Sequence, residues 1–185
     1  MGDLAQSQRQ AIRDAALAEL ITGGIDKFTV GGVARRAGVD PSVIVETWRD
    51  RRLLLMDAQL SRASSEVPTP NTGTLRGDLV AYATSLIELA ASPEGRTWFK
   101  RLLPASGDAD LAEIRADFWQ VRFDAVAPIL ERAAERGELR DGVDPLAAIR
   151  MFSAGLWFDV IFTDTAVDPN HAAQALDIFI HGITA

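Results

Sequence analysis

The sequence predicts an all-α fold, and three observations carry that expectation. Ala, Leu, Glu and Arg dominate its longer segments, and no alternating run of β-branched residues interrupts them. Four of the eight prolines follow a capping residue, in Asp40-Pro41, Ser92-Pro93, Asp144-Pro145 and Asp168-Pro169. Asp or Ser accepts the orphan N–H bonds of a first helical turn, and Pro at the next position forfeits no needed donor. Glycines then stand where helices are expected to stop.

Taken in order, residues 8–22 form the first helix, with Ile12, Ala15, Ala16 and Leu20 on one face. Gly23-Gly24 ends it. Thr29 caps a short helix over about 30–36 that carries Val33 and Ala37 on its apolar side, and Gly38 stops it. Val39 packs inward, and Asp40-Pro41 opens another helix of about two turns. Asp50 caps a longer helix running to about Ser65. The stretch 63–74 (ASSEVPTPNTGT) holds two prolines and several hydroxyl residues, so it reads as a connection. Helices are then expected near 75–91, 93–103, 109–136, 145–163 and 169–183, about nine in all. Pro128 should kink or split the third of these, and Gly137 ends it.

Composition narrows the function. The chain has 185 residues, is 48% hydrophobic and contains no cysteine, which removes disulfides, thiolate metal sites and thiol nucleophiles. The longest stretches without a charge, 67–75 and 79–87, are far shorter than the roughly 20 apolar residues a membrane span needs. The N-terminus carries Asp3 and no apolar segment, so a cytoplasmic protein without a secretory signal is expected. The net charge of -7 argues at first against nucleic acid. The distribution removes that objection. Residues 1–56 hold eight basic and seven acidic side chains, so they are +1 and the remainder is -8.

Segment 10–56 carries the functional signal. Helix, three-residue turn and short helix are the parts of a helix-turn-helix, in which the second short helix enters the major groove. Gly38 permits the tight turn, and Val39 plugs the space between the helices. Ile44 and Trp48, four apart, face back onto the bracing helices. Pro41, Ser42, Val43, Val45, Glu46 and Thr47 are left pointing outward.

These residues resemble the TetR-type transcriptional repressors. The resemblance rests on AIRDAALAEL (11–20), Gly24, Phe28-Thr29-Val30, Val33-Ala34, Ala37-Gly38-Val39, Trp48 and Leu53-Leu54. It implies a homodimer with a DNA-binding domain over 1–56 and an effector-binding and dimerisation domain over 57–185. It implies phosphate contacts by Thr29 and Arg51, and base or backbone contacts by Pro41, Ser42, Val43, Val45, Glu46 and Thr47. The expected partners are palindromic double-stranded DNA, a small and largely apolar effector, and a second copy of the chain. No membrane partner is expected. Val43, Val45 and Glu46 stand where the family usually carries aromatic or Tyr groups. That motivates an alternative: an all-α homodimeric interaction module without sequence-specific DNA readout.

The second domain holds most of the large aromatics. Tyr82, Trp98, Phe118, Trp119, Arg122, Phe123 and Phe152 are the expected effector-lining residues, although core packing accounts for aromatics equally well. Arg122 has two readings: a partner for an anionic or carbonyl-bearing effector, or an ordinary arginine paired with Asp117 or Glu88. The last two helices are apolar on more than one face. Ile149, Phe152, Leu156 and Val160 with Leu176, Phe179, Ile180 and Ile183 are the expected four-helix dimer interface. Asp159 interrupts this run and is expected to find a partner, be solvated or line the cavity. His171 and His181 lack metal-ligand spacing, and Asp108 and Asp110 read as capping residues. No nucleophile elbow, phosphate loop or dinucleotide fingerprint occurs. The expectation is therefore no enzyme, no metal and no cofactor.

Overall fold

The computed structural model describes residues 4–102, 109–158 and 168–184. Among them lie ten helices: α1 (Gln6–Gly23), α2 (Val30–Ala37), α3 (Pro41–Trp48), α4 (Arg51–Glu66), α5 (Leu75–Ala91), α6 (Pro93–Leu102), α7 (Ala109–Val126), α8 (Pro128–Glu135), α9 (Pro145–Phe158) and α10 (Pro169–Ile183). A 3-10 turn at Ile25–Lys27 and one isolated bridge between Leu139 and Thr184 complete the regular structure. Asp108, Asp159, Val160 and Phe162 lie outside the described residues, as do the side chains of Asp110, Trp157, Phe158 and His171.

The helix starts form as the capping pairs require. The Asp40 carboxylate accepts from Ser42 N at 2.8 Å, Asp144 from Ala147 N at 3.0 Å and Asp168 from Asn170 N at 2.9 Å, while Ser92 Oγ accepts from Gly95 N at 2.9 Å. Thr29 and Asp50 cap α2 and α4 in the same way. Pro128 splits rather than bends its helix, so one expected element becomes α7 and α8. Gly38 closes α2 in the left-handed conformation, at φ 69° and ψ 33°.

Contacts gather the chain into two compact units, and a single cut does not separate them. The first comprises Met1–Ala63 with Lys100–Phe118, and the second Ser64–Phe99 with Trp119–Ala185. In the first unit α1 packs on α2 and α2 on α3, around buried Ile12, Ala16, Leu20, Phe28, Val33 and Ile44. In the second, α5 packs on α8, α9 and α10, around Leu79, Tyr82, Ile129, Ile149 and Phe152.

The expected connection at 63–74 is shorter and better held than its composition indicates. Helix α4 runs on to Glu66, and side chains of the second unit grip the strap that follows. Arg122 Nη2 donates to Val67 O at 2.5 Å, Thr69 Oγ1 donates to Ala125 O at 2.8 Å, and Arg132 donates to Pro70 O. The Asp78 carboxylate is fully buried and accepts from Thr72 N at 2.5 Å and Thr72 Oγ1 at 2.8 Å.

Candidate DNA-binding face and effector site

Helix α3 is bounded by the Asp40 cap at its start and by the positive φ of Arg49 at its end. Asp40 and Pro41 fix the start, and buried Ile44 and Trp48 fix the inward face one turn apart. The outward face then follows: Pro41, Ser42, Val45 and Glu46 are exposed, and Val43 and Thr47 are half-buried. Val45 keeps 48% of its surface in solvent. Ser42 donates to Asp40, and its hydroxyl and N–H together hold that carboxyl below the usual carboxylate range. Thr47 spends its hydroxyl proton on Val43 O at 2.8 Å. Thr29 is exposed at the start of α2, and Arg51 opens α4 half-buried. Arg36, two turns along α2, is tied back to Glu19 at 3.1 Å.

One junction was not anticipated. Trp48, Arg49 and Asp50 form a γ-turn, with Asp50 N donating to Trp48 O at 2.8 Å. Arg49 sits there at φ 68° and ψ -49°, the one described non-glycine residue with positive φ. Asp50 then caps α4, so α3 and α4 are joined by two residues, of which Arg49 is strained.

A part-buried staple ties α3 to its neighbours. Asp57 on α4 accepts from Trp48 Nε1 at 2.7 Å, and from Arg13 Nε at 2.9 Å and Nη2 at 2.8 Å. One carboxylate therefore ties together α1, α3 and α4, and Arg9 stacks over the Trp48 ring at 5.3 Å. Burial alone would raise the Asp57 carboxyl. The hydrogen bonds from Arg13 and Trp48 outweigh it and hold the group below its ordinary value.

In the second unit, Tyr82 on α5 meets Phe152 on α9 at 6.4 Å, and Phe152 meets Phe179 on α10 at 5.0 Å. Ser153 Oγ gives its proton to Ile149 O at 2.8 Å, so the Tyr82 hydroxyl 3.1 Å away must be the donor between them. Burial pushes the Tyr82 phenol up. Arg122 lies over the Tyr82 ring at 6.0 Å, and Trp119 stacks on Phe123 at 5.7 Å. The structure thus draws Tyr82, Arg122 and Phe152 together and pairs Trp119 with Phe123. Trp98 is buried in this unit, whereas Phe118 is buried in the first.

Comparison with known proteins decides the family. Residues 69–179 match the family described as tetracyclin repressor-like, C-terminal domain. The chain belongs to the TetR family. The HTH-type transcriptional regulator YdeS of Bacillus subtilis is 31% identical over 97% of this chain and 91% of its own length. The regulator AqdR of Rhodococcus erythropolis is 29% identical, over 94% and 84% respectively. The crystal structure of another TetR family transcription regulator superposes with a TM-score of 0.78 at 23% identity, covering 97% of this chain and all of that one. The SmeT–triclosan complex superposes with a TM-score of 0.66 at 21% identity, covering 97% and 93%. The chain is a TetR-family transcriptional regulator of all-α fold.

For this TetR-family chain, the residues expected at the dimer interface have another position. Ile149, Phe152, Leu156, Leu176, Phe179 and Ile183 are buried within the protomer, and Ile180 is half-buried. Within the protomer they hold α9 and α10 against the core. The outward apolar surface of these helices is instead small residues around two large ones. Met151 is 63% exposed and Ile178 75%, among exposed Ala147, Ala154, Gly155 and Ala175. Beside Met151, an open cleft of about 470 Å³ is lined by Arg140, Val143, Ala147 and Ile183, and by none of the expected effector residues. No group of three or more His, Asp or Glu suited to a metal occurs among the described residues. No helix among them is long and apolar enough to cross a membrane.

Proposed function

We propose that this regulator is a cytoplasmic repressor whose homodimer seats two α3 helices in successive major grooves, about 34 Å apart on a palindromic operator. The observation that carries the reading is α3 itself. Its apolar pair is consumed by the core, while Pro41, Ser42, Val45 and Glu46 are held outward on a stapled scaffold. Val43 and Thr47 complete that face, with Thr29 and Arg51 set to grip phosphates. Glu46 can accept from a cytosine N4 amine. The DNA-binding domain is taken as 1–56 and the effector-binding and dimerisation domain as 57–185.

An effector, small and largely apolar, is proposed to bind among Tyr82, Trp98, Trp119, Arg122, Phe123 and Phe152 of the second unit and to shift the population away from the DNA-competent spacing. That a protein of this fold is seen with triclosan supports the reading. The exposed Met151 and Ile178 faces of α9 and α10 are proposed as the surface on which two copies meet.

A salt-dependent shift assay on the DNA upstream of the chain's own gene tests the proposal. Arg51→Ala and Thr47→Ala should each weaken binding, Arg51→Ala uniformly across sequences. Failure to select any sequence from random DNA at low salt would refute it and favour the interaction-module alternative.

A further inference from the structure

Arg122 is 6% exposed, and no carboxylate among the described residues pairs with it. The acids nearest it in sequence are engaged elsewhere or face solvent: Asp124 accepts from Gln120 Nε2 at 2.8 Å, and Asp117 and Glu88 are exposed. Its one hydrogen bond among the described residues, from Nη2 to Val67 O, uses a neutral acceptor. Nε and Nη1 have no acceptor among the described residues. Burial depresses the tendency of the guanidinium to hold its charge. The Tyr82 hydroxyl is committed as a donor to Ser153 and offers the guanidinium only its ring face. On the surface of α7, Arg150 of α9 lies over the Phe123 ring at 5.4 Å and bonds Gln120 Oε1 at 2.6 Å. Cation, aromatic rings and unfilled donors share one unit, with no acid paired to Arg122 among the described residues.

We infer that Arg122 is the recognition residue for an anionic head group, so that the effector is a small apolar carboxylate whose body lies against Tyr82, Phe123 and Phe152. The inference rests on the effector reading above and specifies its chemistry. A desolvated guanidinium with free N–H groups favours a carboxylate over any neutral oxygen, because both partners are charged and the fork geometry matches. The same side chain holds the carbonyl of Val67, the first residue after α4. An anion that draws the guanidinium is therefore felt at the C-terminal end of the helix that Arg51 begins.

The test is a library of straight-chain and one- to three-ring aromatic carboxylates, each paired with its own carboxamide. Thermal stabilisation of the full chain and release of its selected operator DNA are both read. Acids should stabilise and release where their amides do not. Arg122→Gln should weaken the active acids by about tenfold to a hundredfold and erase the preference, as expected for loss of a charge-assisted pair. Arg122→Lys should keep the preference with weaker binding. Amides acting as well as their acids on the unaltered protein would overturn the inference, whatever the variants do. So would an acid preference that survives Arg122→Gln, or a library in which no acid binds. Release by neutral compounds alone would leave the effector reading standing and sink only the carboxylate.

Discussion

Asp57 ties three helices of the first unit together, and removing it should destabilise that unit measurably. The carboxylate accepts three hydrogen bonds, one from the Trp48 indole and two from Arg13. In Asp57→Ala the Trp48 N–H, on a buried residue, is left without its acceptor, a loss of about 1–3 kcal/mol. The Arg13 side chain retains 21% exposure, so water recovers much of its pairing and the added loss is at most about 1 kcal/mol. The expected total is about 2–3 kcal/mol, less than the breaking of a fully buried pair. Asp57→Asn can still accept from Trp48 and should lose about half as much.

Acid gives a second signature. Asp57 titrates below its unfolded value, so its contribution is complete above the ordinary carboxylate pKa of about 4 and fades as pH falls through the depressed folded value. The stability gap between the natural chain and Asp57→Asn should therefore be constant from neutral pH to about 4 and narrow below it. Urea unfolding at one protein concentration measures both quantities, holding fixed any dimer contribution. A gap under about 0.5 kcal/mol at neutral pH, or one that acid leaves unchanged, would refute the staple.

Three further substitutions probe the backbone. Arg49→Gly removes a positive-φ penalty of about 1–2 kcal/mol at an exposed position and adds about 0.5–1 kcal/mol of unfolded-state entropy, so denaturation should show a gain of about 0.5–1 kcal/mol. Gly38→Ala forces a side chain into φ 69° with open space around it, and should cost about 1 kcal/mol and weaken operator binding in the same protein. At Gly95 the obstacle is contact: an added Cβ would lie 1.8 Å from Leu89 O, a backbone atom. Gly95→Ala must displace the start of α6, and a loss of about 1–3 kcal/mol in thermal unfolding is expected.

What the residue order revealed, and what it hid, follows from the range of the physics. Asp40, Ser92, Asp144 and Asp168 could be read as caps because donor and acceptor lie two or three residues apart. Pro128 splits its helix for a reason contained in its own ring. Ile44 and Trp48 were readable as the inward pair of α3 because one helical turn relates them. Asp57 was not, because Arg13 is 44 positions away and no local pattern announces the pair. The interface residues show the same limit from another side. Apolar character at Ile149, Phe152 and Leu176 states that water is excluded, but not whether the chain's own core or a second copy excludes it. Arg122 was legible as unusual in its aromatic setting. Its lack of a carboxylate partner among the described residues needed coordinates.

The first unit borrows residues Lys100–Phe118 from the middle of the chain, and α7 is continuous from Ala109 to Val126 across the boundary. A head cut out after α4 would leave behind Ile114 and Phe118, two of its buried side chains. Gene fusions that graft the first unit onto another protein would thus need two splice points rather than one. Natural recombination faces the same barrier. The two units are expected to diversify here by point change within an intact chain, not by exchange of parts.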